Sequence, residues 1–425
     1  MKKVLSIIAL SFVAIVANAQ YQLTNPGFDG TWSSITPYTG GSSKTVGTTP
    51  SGWCVANVAG YKFGSIWFGS TEVASRVDGH TDYACKLENQ TTAGNVIPGY
   101  VTLGTSWNTA DTSGGNSDGG SFGGVSFTGT PDAMEFYYQR TASDNSQPAS
   151  VVAYMWKGST SQASVPVSIG SSPTTATMTN RDRSILDMTY SKGGTVTKSS
   201  DFSLIATLSE THSYLKNGSS TEYENAYIAY LSEEKSSWTK KTVEFTYHNN
   251  TDKPTMINIV FAAVDFFTNR SNHISGNTLT VDDVKFLYYS ELATATYDEN
   301  AVSFTNGTAT VNATYDASKL ALTSNGHGAT IEKSYNESTG LLTITVKGEN
   351  FSEDATNYHT YTIQFNLPQV AGDLDGSGEV DADDIAIIIN MIKDPSTKTD
   401  AADLNGDSEV NVGDITAAVN LMLNK

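Results

Sequence analysis

Residues 373–392 read DLDGSGEVDADDIAIIINMI, and residues 403–422 read DLNGDSEVNVGDITAAVNLM. The second segment begins thirty residues after the first, and the two form an internal duplication. Each half is an oxygen-rich loop of twelve residues, followed by a segment in which apolar residues recur at helical spacing. The pattern therefore predicts two loops and two amphipathic helices whose apolar stripes pack together.

The composition of these loops indicates a calcium site in each. Ca²⁺ is a hard cation that takes about six to eight oxygen ligands, and alternate residues of such a loop can turn inward to supply them. An acidic, solvated surface is the alternative, but two loops in register with matched helices favour calcium. The predicted ligands, with Glu379 and Glu409 acting through backbone carbonyls, are Asp373, Asp375, Ser377, Glu379, Asp381, Asp384, Asp403, Asn405, Asp407, Glu409, Asn411 and Asp414.

Over residues 372–425 this duplication resembles a type I dockerin. The resemblance implies an all-α module, assigned to residues 369–425, that binds two Ca²⁺ ions and docks to a cohesin-like protein partner. Dockerins often carry a Ser-Thr recognition pair just before the last ligand of each loop. Here the pairs are Ala382-Asp383 and Val412-Gly413. The chain thus departs from the standard pair, and the inequality argues against symmetric docking in two orientations.

The chain before residue 369 is typical of β structure. Short runs rich in β-branched and aromatic residues alternate with Gly, Ser, Asn and Pro, and no convincing amphipathic helix precedes residue 384. We expect a mainly β fold, with a sandwich or jelly roll over residues 20–292 and a second, small sandwich over residues 293–368. The predicted strands of the large domain are Val101–Leu103, Met134–Tyr138, Val151–Trp156, Phe202–Leu208, Val243–Tyr247, Ile257–Ala262 and Thr278–Tyr289.

Five short fragments characterise the large domain. They are Asn25–Asp29 (NPGFD), Pro50–Trp53 (PSGW), Ile97–Tyr100 (IPGY), Phe127–Pro131 (FTGTP) and Gly276–Val284 (GNTLTVDDV). Their order over residues 21–290 resembles the carbohydrate metabolism domain of Bacteroidetes-type secreted proteins. The resemblance implies a jelly roll with a sugar-related role, accompanied by a small β-sandwich that resembles an immunoglobulin-like module.

The first and last of these fragments are also similar to those of galactose-binding-type carbohydrate-binding modules. Such modules often hold a structural Ca²⁺ between their terminal strands. The similarity implies a third calcium site near Asp29 and either Asp282 or Asp283, where a cation would join strands that are distant in sequence. The alternative is that these acids cap turns or pair with lysines.

Sugar binding needs an aromatic ring against the apolar face of a pyranose and polar groups for its hydroxyls. We predict Trp67, Tyr100 and Trp107 as the ligand-binding aromatics, with core packing as the alternative for each. Trp107 lies in a polar segment, shortly before the Gly- and Ser-rich stretch Thr112–Gly124, which is expected to be a low-complexity loop.

Three functions are compatible with these features. The leading hypothesis is a secreted, carbohydrate-binding protein of polysaccharide utilisation that recognises a glycan through the jelly roll and docks through the tail. The second is a glycoside hydrolase of polysaccharide catabolism, which needs two carboxylates about 5–10 Å apart. The third is a non-catalytic adhesive surface protein. No catalytic constellation is recognisable, which favours a non-enzyme, and the available acids are Glu72, Asp132, Glu135, Glu244 and Asp265.

The N-terminus predicts export. A basic pair is followed by a short apolar run and by Ala17-Asn18-Ala19, so residues 1–19 read as a signal peptide and the mature protein as secreted, soluble and without a membrane span. The formal net charge of −19 argues against binding nucleic acid through a basic face. Cys54 and Cys85 are compatible with a disulfide or with two separate thiols.

Overall fold

The computed structural model describes residues 20–35, 45–62, 66–92, 95–109, 118–162, 196–215, 223–267, 273–367 and 370–424. The predicted signal peptide, residues 1–19, lies outside these ranges. The chain divides into two compact units between Tyr289 and Ser290, close to the predicted boundary after residue 292. Within the described ranges no helix has the length and apolarity needed to cross a bilayer.

The first unit is built from strands, as the sequence predicts. Its described strands are β1 (Trp32–Ser34), β2 (Thr48–Pro50), β3 (Cys54–Val55), β4 (Val58–Lys62), β5 (Ile66–Thr71), β6 (Ala74–Asp78), β7 (Tyr83–Glu88), β8 (Gln90–Thr92), β9 (Asn95–Ile97), β10 (Tyr100–Thr102), β11 (Thr105–Thr109), β12 (Asp118–Phe122), β13 (Val125–Ser126), β14 (Ala133–Thr141), β15 (Ala149–Lys157), β16 (Thr160–Gln162), β17 (Val196–Lys198), β18 (Ser203–Leu208), β19 (Thr211–Leu215), β20 (Tyr223–Tyr227), β21 (Ala229–Leu231), β22 (Lys235–Tyr247), β23 (Met256–Ala262) and β24 (Thr278–Leu287).

One sheet of twelve strands organises this unit. Its order is β3-β10-β23-β15-β18-β22-β14-β24-β7-β6, with β13 beside β23 and β21 beside β15. The pairing of β18 with the C-terminal end of β22, as in Leu208–Phe245, joins the two halves of the sheet. Phe136 of β14 and Met155 of β15, which come from different halves, belong to the same buried core. This two-layer arrangement fits the predicted β-sandwich or jelly roll.

Strands β14 and β15 differ in the number of faces that they bury. Strand β15 is buried at its first eight positions, with Met155 in the main core and Trp156 in a second cluster on the opposite face. Strand β14 instead alternates, so that Phe136 and Tyr138 are buried while Tyr137 is partly exposed. The half-sheet around β14 therefore has one face open to solvent. The alternation of buried and partly exposed residues along β14 is typical of such a strand.

Two-stranded sheets complete the first unit. They pair β1 with β2, β4 with β5, β8 with β9, β11 with β12, β16 with β17 and β19 with β20. One of them corrects a prediction, because part of the expected loop Thr112–Gly124 is strand β12, paired with β11 from Thr105–Phe122 to Thr109–Asp118. Glycine disfavours strands only weakly, so backbone pairing and contacts elsewhere can override it. Residues 112–117 lie outside the described ranges.

The second unit begins with a two-sheet sandwich. Its strands are β25 (Leu292–Tyr297), β26 (Asn300–Ala301), β27 (Thr308–Thr314), β28 (Leu320–Ser324), β29 (Thr330–Asn336), β30 (Leu341–Lys347) and β31 (Tyr358–Asn366). One sheet has the order β26-β25-β28 and the other β27-β31-β30-β29. Both contribute to one core, which includes Tyr297, Leu342 and Phe365. The β29–β30 hairpin pairs its strands from Thr330–Lys347 to Asn336–Leu341.

The tail of the second unit contains two helices of twelve residues, α1 (Ala382–Lys393) and α2 (Val412–Leu423). Short 3-10 turns cover Pro395–Thr397 and Asp400–Ala402. A small hydrophobic cluster includes Ile388 of α1 and Ala418 of α2, both fully buried. The helices therefore pack through their apolar stripes, as the spacing of apolar residues predicts.

No disulfide joins Cys54 to Cys85, although both lie in described strands. Cys85 is fully buried in the main core, and this burial raises the pKa of its thiol far above the usual range. The structure therefore answers the question that the sequence left open, and the two residues are separate thiols.

Candidate functional site

The first acidic loop folds around the carboxylate of Asp373. Its Oδ1 accepts hydrogen bonds from the backbone N–H groups of Gly376 and Ser377 at 2.8 and 3.0 Å, and its Oδ2 accepts one from Gly378 at 2.7 Å. Gly376 and Gly378 have φ angles of +76° and +88°, which glycine adopts without steric cost. The loop therefore curls tightly around its first predicted ligand.

The second loop repeats this arrangement around Asp403. Its Oδ1 accepts from the N–H groups of Gly406 and Asp407 at 2.8 and 3.1 Å, and its Oδ2 accepts from Ser408 at 2.8 Å. The donors occupy the same three loop positions as in the first repeat. The duplication seen in the sequence is thus a duplication of geometry.

The last carboxylate of the first loop joins the loop to its helix. Asp384 Oδ1 accepts from the N–H groups of Leu374 and Asp375 at 2.6 and 3.1 Å, and Oδ2 accepts from Asp381 at 2.8 Å. Burial alone would raise the pKa of Asp384, but these backbone donors hold that pKa below its ordinary value. The carboxylate is therefore favoured in its charged form, which is the form that binds a cation.

Asp414 has the same role in the second loop. It accepts from the N–H groups of Leu404, Asn405 and Asn411 at 2.8, 3.2 and 2.8 Å, and these donors hold its pKa below the ordinary value despite the opposing effect of burial. Neither Asp384 nor Asp414 is exposed to solvent.

The first loop also brings three carboxylates together. One oxygen each of Asp373, Asp375 and Asp384 lies within 4.8 Å of the other two, although like charges repel. Carboxylate oxygens are the ligands that Ca²⁺ prefers. In the second loop the place of Asp375 is taken by Asn405, whose amide can supply a neutral oxygen. The donor set therefore fits calcium, with one charge less in the second loop.

Other predicted ligands also make contacts within the loops. Asp381 is the N-cap of α1, and its side chain accepts from the N–H of Asp383 at 2.8 Å. Asn411 caps α2 in the same way, because its side-chain oxygen accepts from the N–H of Gly413 at 2.6 Å. Each cap combines with the acid three residues later into a capping box. The spacing Asp-x-x-Asp in the first loop and Asn-x-x-Asp in the second could have revealed this second role from sequence.

The remaining predicted ligands lie on the same loops. Ser377 donates its hydroxyl to the carbonyl of Glu379 at 3.2 Å, and in the second loop Asp407 accepts from the N–H of Glu409 at 2.9 Å. The predicted roles of all twelve residues as ligands stay predictions.

Comparison with protein families agrees with this geometry. Residues 371–423 match the type I dockerin domain. The match spans both loops and both helices, and it confirms the predicted dockerin tail. Comparison with curated proteins gave no match. The resemblance of residues 21–290 to a carbohydrate metabolism domain therefore stays a prediction.

The acids of the predicted third calcium site make contacts with backbone donors. Asp282 is fully buried, and its Oδ2 accepts from the N–H groups of His80 and Thr81 at 2.7 and 3.1 Å. Asp29 accepts from the N–H of Tyr83 at 2.8 Å. Burial raises the pKa of Asp282 to about 6. These contacts are those of turn caps, which is the alternative stated above, and a cation at this position stays a prediction.

Two of the three predicted aromatics, Tyr100 and Trp107, are connected through the backbone of the β11–β12 hairpin. Tyr100 is only 3% exposed, and its hydroxyl donates to the carbonyl of Gly120 at 2.7 Å. Gly120 lies opposite Trp107 in the β11–β12 hairpin. Burial leaves the ring of Tyr100 no open face for a sugar, so its role here is to anchor the hairpin that carries Trp107. Trp67 lies on β5 of the separate β4–β5 hairpin.

A buried polar network that sequence analysis missed strengthens this anchor. Asn258 of β23 donates to the hydroxyls of Ser121 and Tyr154 at 2.9 and 3.1 Å and accepts from Thr102 and from the N–H of Gly104 at 2.8 and 2.9 Å. Apart from Thr102 and Gly104, these residues are far apart in sequence, so no local motif predicts the network.

Four of the five candidate catalytic acids have structural partners. Glu135 pairs with Lys240 at 3.0 Å, and Glu244 accepts from the hydroxyl of Tyr289 at 3.0 Å. Buried Asp132 accepts from the N–H of Tyr289 at 2.7 Å. Asp265 is also buried and accepts from Tyr230 and Phe267, and Glu72 is exposed. None of these contacts favours a hydrolase.

Proposed function

We propose that this is an exported glycan-recognition protein whose dockerin tail, folded around calcium, docks to a cohesin-type partner. The observation that carries the docking part is the repeated loop geometry. Both first-position and both last-position carboxylates accept the same sets of backbone N–H groups. Ca²⁺ would be held in the first loop by Asp373, Asp375 and Asp384, and in the second by Asp403, Asn405 and Asp414. Its binding would offset the repulsion among these acids and stabilise a small module.

The surface of α2 supports docking in one orientation. Val412 and Leu423 are 67% and 71% exposed, and they lie on one face of the helix. Their counterparts on α1 are Ala382 and Lys393, a smaller and a charged residue. Apolar residues at such exposure favour burial by a partner. A cohesin-type partner would therefore bury the α2 face rather than the α1 face.

Matched variants of the two repeats test this proposal. The full chain is measured on a biosensor against immobilised cohesin domains, in calcium and in EGTA. We expect calcium-dependent binding that Val412→Asp weakens at least tenfold and that Ala382→Asp leaves within twofold. If both single variants keep their affinity for cohesin and only the double variant loses it, the tail docks in two orientations. Absence of binding to every cohesin would remove the docking proposal.

The glycan part of the proposal has separate support. Trp67 and Trp107 lie on hairpins outside the large sheet, and the buried network around Asn258 fixes the base of one of these hairpins. Aromatic side chains on anchored hairpins suit stacking against sugars. The full chain is tested for retention on a panel of plant, microbial and host polysaccharides in calcium. Retention that Trp67→Ala or Trp107→Ala abolishes would support these residues, and no retention would favour the adhesive alternative.

A further inference from the structure

Three aromatic rings from separate segments meet on the open face of the large sheet. His80, in the turn between β6 and β7, stacks on Tyr137 of β14, with ring centroids 3.8 Å apart and an interplanar angle of 10°. Its other neighbour is Trp238 of β22, in an edge-on arrangement at 6.1 Å. We refer to His80, Tyr137 and Trp238 as the outer-face cluster. It was not found from sequence, because its members are far apart along the chain.

Register explains why this cluster faces away from the core. Tyr137 pairs with Lys240. The register shifts after the next pair, Tyr138–Thr239, so Trp238 lies in an irregular stretch of β22, and its ring contact with His80 places it on the same side as Tyr137. On the opposite side of β14, Phe136 and Tyr138 are buried. Tyr137 and Trp238 are only partly buried, so the cluster is accessible.

The turn that carries His80 is held rigidly. The N–H groups of His80 and Thr81 both bond to Asp282, which is fully buried in the sheet. The side chains of the same two residues bond to Asp283 at 2.8 and 2.6 Å. A side chain fixed from both its backbone and its ring has little conformational entropy to lose when it binds a ligand.

Two pairs of opposite charges lie beside the cluster. Lys240 lies 3.0 Å from Glu135, and the His80 ring lies 2.8 Å from Asp283. Farther along the same half-sheet, Lys86 lies 2.9 Å from Glu88. The face thus presents polar groups without an excess of positive charge, and the chain as a whole carries −19. Such a surface is complementary to an uncharged ligand and repels an acidic one.

We propose that the outer-face cluster is a binding site for an uncharged glycan, with Trp238 as the stacking ring and His80 beside it. The inference rests on the proposed glycan recognition and adds a site and a ligand class to it. A pyranose would place its apolar face on the indole, and Lys240, Glu135 and Thr81 would lie near its hydroxyls.

The test uses the full chain in calcium. Retention is measured on neutral polysaccharides (cellulose, mannan, starch and galactan) and on acidic ones (polygalacturonate and alginate). We expect retention on at least one neutral polymer and at least tenfold weaker retention by Trp238→Ala. Trp238→Phe should restore most of it, because stacking needs a ring rather than an indole. Tyr358→Ala, which removes a tyrosine that is 47% exposed in the second unit, serves as control and should leave retention unchanged.

Each result separates this site from the broader proposal. If a neutral polysaccharide retains the parent chain and Trp238→Ala equally, the outer-face site is overturned while glycan recognition stands. Preference for the acidic polymers would overturn the charge argument. Retention by no polymer would remove the glycan proposal and this inference together. The melting temperature of each variant shows whether a lost signal comes from unfolding, and a folded Trp238→Ala without retention supports the site.

Discussion

Ser408 takes the place in the second loop that Gly378 has in the first. Its φ is +68°, and the equivalent Gly378 has +88°. A side chain in this left-handed region costs about 1 kcal/mol, part of which the greater flexibility of unfolded glycine offsets. We predict that Ser408→Gly stabilises the calcium-bound tail by about 0.5 kcal/mol and that Gly378→Ser destabilises it by about 1 kcal/mol. Urea unfolding followed by helical circular dichroism measures both, and destabilisation by Ser408→Gly would contradict the argument.

Asp384 and its neighbour Asp383 allow a second, matched test. Asp384 is fully buried and accepts three backbone N–H groups, whereas Asp383 is exposed. An amide at position 384 would turn one acceptor into a donor that faces an N–H group, at a cost of about 2 kcal/mol. We predict that Asp384→Asn weakens calcium binding at least tenfold and that Asp383→Asn leaves it within twofold. Calorimetric titration with Ca²⁺ measures both, and equal affinities would contradict the assignment.

Acid should act on the same carboxylates. The pKa of Asp384 and that of Asp414 are depressed in the folded state, so their contribution to stability is present above the unfolded value near 4 and is lost as pH falls below it. We predict that the urea midpoint of the calcium-bound tail is constant from pH 7 to about pH 5 and decreases below about pH 4. A midpoint that rises on acidification would show that repulsion among the loop acids dominates instead.

The dockerin loops could be predicted at residue level because their chemistry is local. Within each loop, all predicted ligands lie in a segment of twelve residues. The bond by which Tyr100 anchors the β11–β12 hairpin could not be predicted, because it depends on β12, which pairs with β11 across residues that the sequence assigns to a loop. Local spacing carries no information about such contacts.

Strand positions were predictable for a similar reason. The runs predicted for β14 and β15 lie within the observed strands, because alternation or a continuous apolar run is visible in one short segment. Strand β12 contains two glycines in five residues and has no such pattern. Its stability comes from pairing with β11 and from the network beneath the hairpin, neither of which is local.

The β11–β12 hairpin should therefore depend on its buried network. Asn258 is fully buried and bonds to four different residues. We predict that Asn258→Ala destabilises the first unit by about 2–4 kcal/mol, because it leaves buried polar groups unsatisfied. Tyr100→Phe removes the bond to Gly120 and should cost about 1 kcal/mol. Guanidinium unfolding followed by tryptophan fluorescence measures both, and the reverse ranking would contradict the network's importance.

On the scale of the whole molecule, calcium should control one part of the chain. The tail has its own small hydrophobic cluster, distinct from the main core of the first unit. All six tryptophans lie before residue 239, so their fluorescence reports on the first unit alone. We predict that EGTA abolishes most of the helical circular dichroism of the tail and leaves the thermal transition seen by tryptophan fluorescence unchanged. Helicity that persists in EGTA would show that calcium is not required for the fold.

The order of strands in the large sheet also determines when the first unit can fold. Strand β24 lies between β7 and β14, and β23 lies between β10 and β15, yet β23 and β24 are the last strands of the unit to be synthesised. The apolar faces of β15 thus emerge from the ribosome well before their neighbours exist. Sheets closed by such distant pairings form slowly, and their precursors aggregate readily. We expect the growing chain to need a chaperone until residue 287 is available, whereas each tail loop and its helix are complete within a few dozen residues.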